Sequence, residues 1–82
     1  VATTVYSIDV RRGLMVLSVG TSESYIAVGR YYNVEVNGVN VGQIQIADAQ
    51  PSNVIAHILP KSDMSAISAG TNVRLIPFVT KR

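Results

Sequence analysis

One histidine and five carboxylates are the side chains of this chain best suited to acid–base or metal chemistry. A general base or a metal ligand needs partners, and His57 has neither a cysteine nor a second histidine to join it. Strand alternation would put it on the face opposite Ala56 and Ile58, so it reads as a structural or surface residue. Asp9, Glu23, Glu35, Asp48 and Asp63 fall one to a segment, and no two share an element at a spacing that would pair them as acid and base. A fold could still join Asp9 to Glu35, since both lie on the polar sides of strands; solvated strand faces are the expected outcome. Ser18, Ser22, Ser24, Ser52, Ser62, Ser65 and Ser68 lie mainly in loops, and none stands in a Gly-x-Ser-x-Gly elbow. Gly38-x-x-x-Gly42 lacks the Lys-Ser/Thr that completes a phosphate loop. No enzyme is expected from these residues, and no metal, cofactor or small-molecule substrate.

Binding is better represented than catalysis. Arg11, Arg12, Arg30, Tyr25 and Tyr31 are the residues that could hold a single-stranded nucleic acid, with bases stacked on the tyrosines beside a basic groove. Five arginines and two lysines spread along the chain make a thin groove. Tyr31 next to Arg30 also suits a protein-docking anchor, which a weakly charged surface favours over nucleic acid.

The composition agrees. Of 82 residues, 48% are hydrophobic and only 15% charged, against about 25% charged in ordinary soluble domains. Part of such a surface is neutral and suited to packing against something else. The net charge is +2 with a pI near 9.3, but Lys81 and Arg82 supply both excess charges (7 − 2 basic against 5 acidic), so the pI says little about nucleic acid. This length makes one small domain that hides about 60–65% of its unfolded surface, and without cysteine no disulfide reinforces it. No run approaches the ~20 apolar residues of a membrane helix. The chain starts at Val1 without methionine, as expected of a module excised from a longer protein.

These side chains would be positioned by strands. Tyr32 to Val41 alternates apolar and polar residues on both sides of Asn37-Gly38, the pair a tight type I′ hairpin turn needs. Val36 should then face Val39, and Val34 should face Val41. Beyond Gly42 the pattern resumes at Ile44 and Ile46, one residue out of phase, which calls for a bulge near Gly42. Thr3 to Val10 reads as a strand with Tyr6, Ile8 and Val10 inward, followed by the turn Arg11-Arg12-Gly13. Leu14 to Val19 is a dense apolar run that suits a strand covered on both sides. Asp48 to Asn53 reads as a loop and Val54 to Leu59 as a strand. Lys61 to Gly70 should hold one helical turn capped by Ser62 or Asp63. Asn72 to Val79 is the last strand, with Pro77 marking an edge.

Taken together, Gly20, Val28-Gly29-x-x-Tyr32-x-Val34, Val41-Gly42-x-Ile44-x-Ile46, Ser52, Ala56, Ile58 and Ile67-x-x-Gly70-x-x-Val73 resemble a small SH3-like β-barrel module of bacterial envelope proteins. The nearest likeness is to the C-terminal domain of the flagellar assembly protein T family. Thr71 stands where that pattern has an aspartate. The resemblance spans roughly residues 5–76. It implies a non-catalytic domain that scaffolds or docks within an envelope assembly, in the periplasm or cell envelope.

The expectation is therefore an all-β, SH3-like barrel of about six strands with one short helical turn, a single domain over residues 1–82. Its core should be Tyr6, Ile8, Val10, Met15, Leu17, Tyr32, Val34, Val36, Ile44, Ile46, Val54, Ile58, Val73 and Leu75. Its function should be structural, as an interaction module in a bacterial envelope or appendage assembly. Tyr31, Arg30, Tyr25, Ile55, Leu59 and Phe78 are the candidate docking residues. Ile55, Leu59, Ile76 and Phe78, left on an outer face, would support self-association or a protein partner. A nucleic-acid-binding barrel using Arg30, Tyr31, Arg11 and Arg12, or a phage capsid or tail decoration module, are the alternatives.

Overall fold

A computed structural model describes residues 2–18, 28–50 and 52–78, with the side chains of Ala2 and Phe78 excepted. Six strands make up its regular structure: β1 (Ala2–Asp9), β2 (Leu14–Ser18), β3 (Tyr31–Val36), β4 (Val39–Ala49), β5 (Asn53–Ile58) and β6 (Asn72–Phe78). They close into a barrel in the order β1-β2-β5-β4-β3-β6, with every neighbouring pair antiparallel. The small all-β barrel read from the alternation is thus the fold. Closure leaves each strand a partner on both sides, which is how a short sheet avoids exposed edges.

Asn37 and Gly38 take φ of 54° and 82°, the two positive values of a type I′ turn, and Val36 pairs with Val39 as expected. The next step differs. Glu35 pairs with Asn40 and Val34 with Gly42, so Val41 is the extra, bulged residue and does not face Val34. The slip lies where the pattern requires it, but Gly42 has another reason to be glycine. A Cβ there would sit 2.5 Å from Ser62 Cβ and 2.8 Å from Met64 Cε, because the chain after β5 runs directly over β4.

The barrel interior is filled by side chains. Val5, Met15, Leu17, Tyr32, Val34, Ile44, Ile46, Val54, Ala56, Val73 and Leu75 are buried, and Ile8, Val36, Val41 and Ile58 pack against them. Tyr6 and Val10 were expected in this core and are instead 66% and 61% exposed. Val10 lies past the end of β1, in the 10–13 turn, and for Tyr6 the cause is a bulge in β1. Val5 pairs with Leu17 and Ser7 with Val16, which leaves Tyr6 as the inserted residue. Val5 and Ile8 therefore both turn toward the core, and Tyr6 turns out. A third bulge, at Ala47, lets β4 run on through Asp48 and Ala49, paired with Ile55 and Val54, where a loop was expected. Bulges bend strands, and three of them in a barrel this small help it to curl. Thr3 is the one buried polar side chain among the described residues, and its hydroxyl donates to the Ser18 carbonyl.

Strand directions alternate around the barrel, so the turns gather at two ends. One end carries the 10–13 turn, the 37–38 turn and the long segment joining β5 to β6. That segment holds no helix, contrary to expectation. Two hydrogen-bonded turns take its place, Ile67 N–H to Met64 O at 3.0 Å and Thr71 N–H to Ser68 O at 3.0 Å. Asp63 is the capping residue, as one of the two expected, but it caps a turn: its Oδ1 accepts from the Ser65 hydroxyl at 2.7 Å and from the Ser65 amide at 3.2 Å. Ser62 instead accepts from the Gln43 amide at 3.0 Å. Further bonds stitch the segment across the end: Leu59 N–H to Gln43 O, Asp63 N–H to Val41 O and Gly70 N–H to Val5 O. Met64 and Ile67 are buried beneath it and extend the core at that end.

Candidate functional site

With the interior packed, what the barrel can do is decided on its outside. Leu14 and Val16 on β2 and Ile55 on β5 are outward and apolar, while Ser18, Asn53 and His57 at the ends of these strands are polar and exposed. Val16 on β2 lies between Ser7 of β1 and Ile55 of β5, and Ile55 lies between Val16 and Asp48 of β4. Tyr6, extruded by its bulge beside Val16, extends the row, and Leu14 stands at its end opposite His57. Val16, Ile55 and Leu14 are half-buried and Tyr6 is exposed. Around the barrel, β3 and β4 present Tyr31, Asn33 and Glu35 with Gln43 and Gln45, in the pairs Tyr31 with Gln45 and Asn33 with Gln43. His57 continues that polar row on β5, exposed and paired with Gln45. Two walls of one barrel thus have different outer chemistry.

The expected docking residues are distributed over this frame and do not form one patch. Ile55 belongs to the apolar wall. Leu59 has left the strand and is half-buried in the β5–β6 segment. Ile76 and Phe78 are on β6, three strands from β5 in either direction, hence on the far side of the barrel. One self-association face made of Ile55, Leu59, Ile76 and Phe78 is therefore excluded. Tyr31 is half-buried on the polar wall, its backbone opposite Phe78 and Gln45, and Arg30 beside it is exposed. Tyr25 lies outside the described residues, as do Glu23, Pro51 and Val79. Arg11 and Arg12 sit on the 10–13 turn, at the end opposite Arg30 and Tyr31, because β3 starts where β1 starts and the 10–13 turn follows β1's other end. The two halves of the nucleic-acid constellation are thus held apart by the length of the barrel.

The carboxylates are dispersed too. Asp9 caps its own turn, accepting from the Arg12 amide at 3.2 Å, and its other oxygen lies 3.6 Å from Arg12 Nε; both side chains are well exposed. An exposed pair of this kind contributes about 0–1 kcal/mol. Glu35 faces Asn40 and Arg74 across its two ladders, and β6 stands between its strand and that of Asp9. Hydrogen bonds from the Ser65 hydroxyl, and then from its amide, hold the Asp63 carboxyl below the usual aspartate range. No group of three or more His, Cys, Asp or Glu that could hold a metal occurs among the described residues. An open groove of about 580 Å³ runs between the start of β4 and Pro60–Asp63, lined by Val39, Val41, Gln43, Lys61 and their neighbours. On the polar wall, Asn33 Oδ1 is shielded from solvent and has no hydrogen-bond partner.

Val16 and Tyr6 are the outer-wall residues that sequence reasoning did not single out. A signal for Val16 exists: in a run such as Leu14–Ser18, interior packing uses alternate positions only, and the remaining ones are apolar as well. For Tyr6 the signal is the three-residue step from Val5 to Ile8. Comparison with known proteins gives no matching family model, no matching curated protein and no matching solved structure.

Proposed function

We propose that this chain is a non-catalytic structural module that assembles through the apolar outer wall of β1, β2 and β5, with a second copy of itself as the occupant of that wall. The observation that carries this reading is the pair Val16 and Ile55 with the bulged Tyr6 beside it, apolar on the side of the sheet that the barrel's own core does not use. A row of this kind is self-complementary under a two-fold axis, as isologous contacts require. Its flanks, Ser7 and Asp48, place no opposing arginine or lysine row against a second copy. The wall is small. Three strands about 4.8 Å apart and about five residues long cover roughly 250 Å², well below the ~800 Å² per partner of a standard interface. Association of isolated domains is accordingly weak and strengthens with concentration or when copies are held together in an assembly. The resemblance noted in the sequence favours an envelope or appendage of a bacterium as that setting.

The test is sedimentation over a series from micromolar to millimolar concentration. The wild-type chain should shift toward dimer. Ile55→Lys, whose new ammonium faces Asp48 across the ladder, should stay monomeric with an unchanged circular dichroism spectrum. Gln43→Lys on the polar wall should associate like wild type. A wild-type chain that stays monomeric throughout would overturn the second-copy reading.

A further inference from the structure

We propose that Asn37 is a site of spontaneous deamidation, and that the β3–β4 hairpin controls how fast it reacts. The chain has five asparagines. Asn33, Asn40, Asn53 and Asn72 each precede valine, and only Asn37 precedes glycine. The reaction begins when the main-chain nitrogen of the following residue attacks the side-chain carbonyl carbon. A β-branched neighbour crowds that nitrogen, whereas glycine leaves it open. At Asn37 the Gly38 nitrogen would bond to Cγ while the Cγ–Nδ2 bond breaks and ammonia leaves, forming a five-membered succinimide. Water then opens either ring carbonyl, giving aspartate or isoaspartate at position 37. Water is the sole co-reactant.

The surroundings permit this chemistry, but the backbone forbids it while the turn is formed. Asn37 and Gly38 are both exposed, nothing stands within 4 Å of where a Cβ on Gly38 would lie, and the Gly38 amide is engaged in no turn hydrogen bond. With φ at 54°, Asn37 is in the left-handed region, where ψ is about +30 to +60°. That ψ turns the Gly38 nitrogen to the far side of the Cα–C bond from Cβ. Ring closure needs the two nearly eclipsed. The ring therefore closes only when Asn37 leaves the left-handed region, which takes the hairpin out of its type I′ turn. The turn requires Asn-Gly for its positive φ values, and the same pair is the most reactive peptide link in the chain.

The two products differ in consequence. Aspartate tolerates the left-handed region and can re-form the turn. Isoaspartate adds a methylene to the main chain, so Val36 can no longer stand opposite Val39. The register error would pass to Asn40 and to the close approach of Gly42 and Ser62.

The experiment incubates the full chain at mildly alkaline pH, folded in buffer and unfolded in guanidinium. Peptide mapping locates the product, and enzymatic methylation detects isoaspartate. Modification should occur first at Asn37 in both samples. It should be at least about tenfold slower in the folded one, corresponding to a hairpin open less than a tenth of the time. Guanidinium below the unfolding midpoint should raise the rate in the folded sample toward that of the unfolded one. Equal rates in folded and unfolded chains, or earlier reaction at another asparagine, would overturn the proposal.

Discussion

The wall built from β2 and β5 and the wall built from β3 and β4 are alike on one side and unlike on the other. Inward, Met15, Leu17, Val54 and Ala56 on the first match Tyr32, Val34, Ile44 and Ile46 on the second, all buried. Outward, Val16 and Ile55 stand against Asn33, Gln43 and Gln45. Closing and filling the barrel constrains only the inner set, because alternate side chains point to opposite faces. The outer sets are under no such demand, so the barrel's interior does not account for their difference. An amide wall is content in water. An aliphatic one gains by being covered, at about 25 cal/mol per Å² of apolar surface removed from solvent.

The largest expected effect tests the part the walls share. Leu17→Ala and Ile44→Ala, one from each wall and both fully buried, should each cost about 2–5 kcal/mol in denaturant unfolding. A large disparity between them would show that the core is not evenly shared. Next comes the tightest contact on the β4 side. Gly42→Ala forces the Ser62 and Met64 side chains away from β4, and should cost about 1–3 kcal/mol, as overpacking does. Its amide spectra should change along residues 60–64 and not in β2. Asn33→Val acts in the opposite direction. Removing an amide oxygen that is shielded and unpartnered should raise stability by about 1 kcal/mol, read as a higher thermal midpoint. It also makes the polar wall more like its counterpart, so any gain in self-association would show that outer apolarity alone suffices.

The smallest effect is one of pH. Asp63 is held below the usual aspartate range by Ser65, so its contribution to stability is complete above the unfolded-state value and is lost as pH falls through the lower, folded-state value. A titration of the Ser65 amide by NMR should show that low midpoint. Ser65→Ala should move the Asp63 midpoint upward, toward the ordinary carboxylate range, without disturbing the barrel.

The parts of this fold that could be read in the residues are those set by local rules. Asn37-Gly38 announces its hairpin because few dipeptides accept two positive φ values. The step from Val41 to Ile44 reveals a bulge because a glycine marks the place. The same three-residue step from Val5 to Ile8 carries no such marker, and strict alternation through it puts Tyr6 inside, whereas Val10 keeps the phase of Ile8 but falls in the turn after β1. Met64 and Ile67 lie in the stretch read as a loop with one helical turn and are absent from the expected core, yet their spacing suits a turn that drops both side chains into the barrel's end. The candidate surface was less legible than the core. Ile55 was singled out correctly as an outward residue, but which strands flank it depends on the order β1-β2-β5-β4-β3-β6, a product of pairings far apart in sequence. That order separated Ile76 and Phe78 from Ile55, and Arg11 and Arg12 from Arg30.

Among the described residues the pairing of β1 with β6 runs through Ala2–Arg74, Thr3–Val73 and Thr4–Asn72, and Val5 continues it by donating to Thr71 O and accepting from Gly70 N–H; Thr3 and Val73 stand seventy positions apart (73 − 3). A ribosome must therefore have made nearly the whole domain before its first strand meets this neighbour. Until then the nascent chain carries an unfinished sheet, and closing so long a loop carries a larger entropic cost than the barrel's hairpin pairings do.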